Sequence, residues 1–314
     1  MISSHPQIEL VHLHRHFGPV RAVDDVSFQV PRGHVFGYIG PNGAGKTTSM
    51  RILATLELPT SGDALVDGFS VTQDPDRVRK RFGFMPDYFD TQPSILVEEY
   101  LDFFARAYGL MGAERRRAVR RVMSFTKLDG LRTKSIDSLS KGMKQRLCLG
   151  RAMVHDPPVL IMDEPAAGLD PRARIQLREM IGELAAEGKS ILVSSHILTE
   201  LAEMCDTVAI IEQGRLLAVG TIDEIHRARQ SHRTVQMRVL DDVEGLCNRL
   251  SARADLHDII RKGEEVEFRH EGDQQFEADL LRELVTGGCR VVAFGSRAES
   301  LEDVFMRVTE GLVQ

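Results

Sequence analysis

Gly40-Pro41-Asn42-Gly43-Ala44-Gly45-Lys46-Thr47-Thr48 is the stretch on which the reading of this chain turns. It fits G-x-x-x-x-G-K-[ST], the phosphate-cradling P-loop. The segment before it, His34-Val-Phe-Gly-Tyr-Ile39, reads as a short buried strand, and Thr48 to Leu56 reads as a helix. Strand, glycine turn and helix in that order is the frame the motif needs. Gly40, Gly43 and Gly45 let the backbone turn tightly, so that its N–H groups point at phosphate oxygens. The helix N-terminus adds the positive end of its dipole. Lys46 is placed to reach the β- and γ-phosphates, and the Thr47 hydroxyl to ligate Mg²⁺.

The composition sets bounds around this motif. A chain of 314 residues suits one large or two modest domains, and 42% hydrophobic content supplies a core. A net charge of −6 argues against a nucleic-acid partner bound through bulk electrostatics. Cys148, Cys205, Cys247 and Cys289 show neither metal-ligand spacing nor a paired framework, and read as thiols of a reducing compartment. Met1-Ile-Ser-Ser-His-Pro6 has no signal-peptide pattern. No apolar run approaches the roughly 18 residues that span a bilayer. The expectation is a soluble, cytoplasmic protein that borrows any membrane role from a partner.

Outward from the P-loop, residues 8–36 alternate apolar and polar and predict antiparallel strands. Residues 61–71 and 82–86 read as short strands, and Ile95 to Met153 turns helical. Val159-Leu-Ile-Met162 is a continuous apolar run, as in a buried parallel strand. A helix over 172–187, a strand over 190–193, a helix over 197–204 and a hairpin over 207–219 follow. Alternation of strands and helices gives an α/β domain with a mostly parallel core sheet. The polar, basic stretch 225–233 reads as a linker. Beyond it come strand 234–240, helix 243–254, strand 264–270, helix 274–286, strand 290–295 and helix 300–310. The expected division is a domain over 7–224, the linker, and a small α+β domain over 234–314.

Asp163 and Glu164 end the apolar run 159–162. In a chain with a P-loop, Asp163 falls where a Walker B carboxylate binds Mg²⁺. Glu164, directly after it, is placed to polarise an attacking water. Three more segments make the pattern specific: Leu139-Ser-Lys-Gly-Met-Lys-Gln145, expected to precede a helix, Ala167-Gly-Leu-Asp170, and Ser194-Ser-His196 at a strand end.

With these segments in this order, residues 7–220 resemble the nucleotide-binding subunits of ABC transporters. The resemblance implies ATP and Mg²⁺ as ligands, a head-to-tail homodimer with ATP sandwiched between protomers, and a separate transmembrane permease. It implies an ATPase fold of parallel core sheet, antiparallel β subdomain and helical subdomain. Phe17 would stack on adenine, and Gly40 to Thr48 would hold the phosphates. Ser140 and Gly142 would contact the γ-phosphate of ATP on the other protomer, and Asp170 would link the two sites. Asp163 would hold the metal through water, Glu164 would be the general base, and His196 would position the attacking water. Two departures stand out. Lys141 and Met143 replace a glycine and a glutamine of the usual signature. Asp87, in Phe84-Met-Pro86-Asp87, stands where the family has glutamine, and either keeps a metal-sensing role or is a loop aspartate without nucleotide contact. Ser300-Leu-Glu-Asp-Val-Phe305 resembles the end of an extension on drug-, antibiotic- and polysaccharide-type exporter ATPases. There the extension implies steadying of the dimer or regulation of assembly with the permease. Export is the expected direction, with the protein peripheral on the inner face of the cell membrane. The rival readings are a soluble ABC ATPase acting on ribosomes or DNA, and a regulator that has lost hydrolysis. One P-loop, a short gap before the signature and the acidic balance speak against the first. The presence of Lys46, Asp163, Glu164 and His196 speaks against the second.

Overall fold

The computed structural model describes residues 5–88, 95–222, 224–225, 233–240 and 242–297. Contacts divide the chain into two compact units, Met1–Ile222 and Asp223–Gln314.

The first unit is built on a six-stranded sheet: β3 (Val35–Ile39), β6 (Phe82–Met85), β7 (Val159–Met162), β8 (Ser190–Ser195), β9 (Thr207–Glu212) and β10 (Arg215–Gly220), in the order β10-β9-β3-β8-β7-β6. All neighbours are parallel except β9 and β10. β3, β7 and β8 are buried along their whole length, which is why they read as continuous apolar runs. The parallel arrangement brings the C-terminal ends of β3, β8, β7 and β6 to one edge. Directly past those ends stand Gly40, His196 and Asp163, with Asp87 one residue further on after Pro86. In open α/β sheets this edge is where ligands bind.

A second, antiparallel sheet has the order β2-β1-β4-β5, with β1 (Ile8–Phe17), β2 (Val20–Val30), β4 (Ser61–Val66) and β5 (Phe69–Ser70). It shares a core with the first sheet, in which Phe28 stacks on Phe36 at 4.9 Å. Helices α1 (Lys46–Leu53), α2 (Pro75–Arg79), α3 (Val97–Ala107), α4 (Gly112–Phe125), α5 (Lys141–Met153), α6 (Pro171–Ala186) and α7 (Leu198–Ala202) complete the unit. Two details differ from the sequence reading. Proline at the first position starts a short helix at Pro75 that the sequence reading passed over. The Leu139–Gln145 segment does not precede a helix but forms its first turn, with Ser140 as the cap.

The second unit runs β11 (Arg233–Val239), α8 (Val243–Ser251), β12 (Leu256–Lys262), β13 (Glu265–His270), α9 (Gln274–Thr286) and β14 (Val291–Arg297). Its antiparallel sheet has the order β12-β13-β11-β14, the ferredoxin-like βαββαβ arrangement. Val235, Met237, Leu246, Leu250, Phe268, Leu280 and neighbours form its own core. The sequence reading omitted β12 and carried the preceding helix three residues too far. β12 pairs on one side only, through β13, and most of its side chains are exposed, so it lacks a clean alternation. The predicted helix 300–310, the Ser300–Phe305 segment and linker residues 226–232 lie outside the described residues. No described helix is long and apolar enough to cross a membrane.

Candidate nucleotide site at the strand ends

The P-loop leaves β3 and enters α1 as the motif requires, but its glycines serve different needs. Gly43 and Gly45 sit at φ +83° and +105°, which L side chains rarely adopt. Gly40 is needed for proximity, because a Cβ there would lie 2.2 Å from the Ile211 carbonyl oxygen. Gly45 is constrained twice, since its Cβ would meet the Ala22 oxygen at 2.2 Å. The first amides of α1 have no partner a turn earlier and form the donor set for an anion.

Lys46 is buried, and its Nζ donates to the carbonyls of Gly40 (2.6 Å) and Pro41 (3.2 Å). It also lies 3.2 Å from Glu164 Oε1. The other carboxylate oxygen, Oε2, sits 2.8 Å from Nδ1 of His196. Glu164 is thus held between a lysine from the phosphate loop and a histidine from the end of β8. Its backbone is in the left-handed region, at φ +46°, and its Oε1 accepts no hydrogen bond although it is buried. Ser194, to which the sequence reading gave no separate role, ties the acids together. Its hydroxyl accepts from Glu164 N (2.9 Å) and donates to Asp163 Oδ1 (2.7 Å). The only sequence signal for this was its place in Ser194-Ser-His196.

Asp163 is 1% exposed. Burial is the main cause that raises its pKa, with the charges of Asp87 and Glu164 adding to it, while hydrogen bonds from Ser194 and Thr47 oppose the rise. Asp87 itself is exposed, just past the end of β6. Thr47, Asp163 and Asp87 therefore form a set of hard oxygen donors with excess negative charge. This fits Mg²⁺, which is held by one or two carboxylates together with waters and phosphate oxygens. Phe17, 45% exposed at the end of β1, carries the Arg15 guanidinium over one ring face at 4.3 Å.

The remaining predicted residues lie elsewhere. Ser140 caps α5 by accepting from Met143 N (3.3 Å), and Asp170 caps α6 by accepting from Ala173 N (2.8 Å). Among the described residues no hydrogen bond joins Ser140 or Gly142 to the P-loop. The α5 start instead packs on the segment after Glu164: Gln145 donates to Pro165 O (3.0 Å), and a Cβ at Gly142 would lie 3.0 Å from Ala173 Cβ. The Lys141 ammonium folds over Gly168, where a Cβ would meet it at 2.4 Å. In the helical region Tyr100 and Leu101 are core residues and Phe103 is exposed. Helix α4 carries Arg115, Arg116, Arg117, Arg120 and Arg121, and this surface is partly ion-paired, through Arg115–Asp102 (2.7 Å) and Arg121–Asp156 (3.1 Å).

Residues 23–167 match the family model described as ABC transporter. The Nod factor export ATP-binding protein I of Ralstonia nicotianae is 34% identical over 308 residues, covering 98% of this chain and 95% of that protein. This chain belongs to the ABC transporter family. A second relative, the "Probable multidrug ABC transporter ATP-binding protein YbhF" of Escherichia coli, is 36% identical over 218 residues, covering 69% of this chain and 38% of that protein. Among solved structures, an ATP-binding subunit of an ABC transporter superposes with TM-score 0.65 at 34% identity, over 71% of this chain and 92% of its own. A dimeric bacterial ABC transporter cassette, 23% identical, shares the fold with TM-score 0.63, over 68% of this chain and 98% of its own. The ABC ATPase fold and the ATP-binding character of the chain follow.

Proposed function

We propose that this chain hydrolyses MgATP and powers a separate transmembrane permease, as the cytoplasmic, membrane-peripheral subunit of an exporter. The observation that carries the reading is the clasp of Glu164 between Lys46 Nζ and His196 Nδ1, beside Asp163 and the P-loop. Each part has chemical work to do. The P-loop amides and Lys46 neutralise phosphate charge. As the Lys46 ammonium turns to phosphate, Glu164 Oε1 becomes free to accept a proton from water. His196 holds the other carboxylate oxygen and so fixes which oxygen faces the water. The Ser194 bridge orients Asp163 and Glu164 together. Mg²⁺, held by Thr47, Asp163 and Asp87, would supply charge stabilisation for the phosphate oxygens.

The separation of Ser140 and Gly142 from the P-loop supports a homodimer in which each signature segment completes the partner's site. The name of the full-length relative, an export ATP-binding protein, supports export, and the partial match to an ATP-binding protein of a multidrug ABC transporter supports work within a transporter. The second unit, with its own core, serves in this reading to steady the dimer or regulate its assembly. Steady-state MgATP hydrolysis tests the proposal. Glu164→Gln is expected to lower turnover about a thousandfold while keeping ATP binding, and to accumulate an ATP-bound dimer on size-exclusion chromatography. Unchanged turnover in that variant would sink the assignment of Glu164 as base.

A further inference from the structure

Away from the nucleotide clasp, strand β1 carries three histidines at alternate positions, His12, His14 and His16. The β1–β2 ladder is irregular where they lie. Its register slips between Leu10 and Leu13 and twice more before His16. His12 and Asp25 both adopt positive φ, +44° and +61°. Such bulges re-aim side chains. Here they turn Asp24 of β2 toward His14 and His16, so that one donor atom from each of the three lies within 4.8 Å of the others.

The two carboxylate oxygens of Asp24 have different tasks. Oδ2 accepts two hydrogen bonds from Arg215, at 2.8 and 3.0 Å, and one from Arg21 at 3.5 Å. Oδ1 faces His14, 3.4 Å from Nδ1. That nitrogen also accepts from Asp25 N at 3.2 Å, and His14 Nε2 lies 4.0 Å from Asp25 Oδ1. His16 Nε2 is buried and has no hydrogen-bond partner. The two imidazole rings stand edge to face, 5.9 Å apart. An ionised carboxylate anchored from behind by a guanidinium, a buried nitrogen without a partner and a second imidazole make a compact donor set.

We propose that His14, His16 and Asp24 bind a divalent transition-metal cation of the Zn²⁺ class, at a site separate from the one for Mg²⁺. Two imidazoles select for Zn²⁺, Cu²⁺ or Ni²⁺ over the hard cations Mg²⁺ and Ca²⁺. Tetrahedral ligation at Zn–N and Zn–O distances of about 2 Å brings donors to about 3.3 Å of one another. Side-chain rotations on this half-buried strand end close the remaining gap and exchange the bond from Asp25 N to His14 Nδ1 for the metal, and water fills the fourth position.

The test titrates Zn²⁺ into the full-length chain, freed of metal, against a chromophoric chelator. Excess Mg²⁺ is present to occupy the oxygen-rich site, and nucleotide is left out. The expected result is one Zn²⁺ per chain, at least about tenfold weaker in His16→Ala and lost in the double variant His14→Ala/His16→Ala. His12→Ala is expected to keep the native affinity. Co²⁺ in place of Zn²⁺ should give a visible ligand-field band that disappears in the double variant. Less than one equivalent bound by the native chain, or equal affinity in the double variant, overturns the proposal. Thermal melting checks that the variants fold. His16→Gln, which keeps a polar side chain, gives the same answer if the double variant does not.

Discussion

Glu164 and Glu277 are both buried glutamates set between a basic side chain and a histidine, one in each unit, and they differ in the exposure of the histidine and in backbone strain. Glu277 accepts from Arg233 Nε at 2.6 Å and lies 3.3 Å from Nε2 of His270. His270 is fully buried, packs on Phe276 with ring centroids 4.8 Å apart, and accepts from Gly272 N through Nδ1. Burial holds its pKa below the usual imidazole range. Its ring is closed in on every side, which makes the group a piece of the core. Glu164 sits on a strained backbone. Its histidine partner is 43% exposed, its lysine comes from a phosphate loop, and a second carboxylate stands next to it. A glutamate, a histidine and a basic side chain thus make a structural clamp in one place and, in the proposed reading, a poised site in the other. Exposure, strain and neighbouring phosphate donors decide between them.

The largest expected contrast comes from the histidines. His196→Ala should lower MgATP turnover about a hundredfold, whereas His270→Leu should leave turnover unchanged. A loss of turnover in both would break the distinction. On the structural side, Arg233→Met leaves Glu277 in the core with only a neutral imidazole beside it. It should destabilise the second unit by about 3 kcal/mol, read by denaturant melting, with turnover again unchanged.

Acid probes both units at once. Burial pushes the His155 pKa down to about 4, against an ordinary value of 6.5. A group lowered in the folded state gives its full stability above the unfolded pKa and loses it as pH falls through the folded one. The first unit should therefore weaken between pH 6.5 and 4, by about 3 kcal/mol from this residue. His155→Phe should flatten that slope. His270 predicts the same direction in the second unit, and hydrogen exchange followed separately in each unit measures both. The smallest effect sharpens the metal side. Asp87→Asn removes one of the charges that raise the Asp163 pKa, and should increase the Mg²⁺ needed for half-maximal turnover by roughly tenfold. An unchanged Mg²⁺ requirement would assign Asp87 to the loop alone.

The contrast also explains what could be read in advance. Strand ends that carry chemistry write it in consecutive residues, as in Lys46-Thr47, Asp163-Glu164 and Ser194-Ser-His196, and buried parallel strands announce themselves as apolar runs. The ABC ATPase fold was legible for that reason. Groups that meet only through pairing were not. Glu277 is 44 residues from Arg233, and the His14–Asp24 approach depends on bulges that no periodicity reveals. The edge strand Leu256–Lys262 was hidden because exposure on both faces removes the alternation that marks a strand. The closest constraint on Gly40 is the Ile211 carbonyl across the sheet, contributed by a strand far along the chain.

The positive φ of Glu164 sets a strained backbone against a buried ion pair. A non-glycine residue held in that region costs on the order of 1 kcal/mol, and here the hydrogen bond from its amide to Ser194 holds it there. Glu164→Gly would relieve that strain but leave the buried Lys46 ammonium without its carboxylate, so it should abolish turnover and melt no higher than the native chain. The turn is thus held by the same carboxylate that strains it, and relief of the backbone alone offers no route to a sturdier chain.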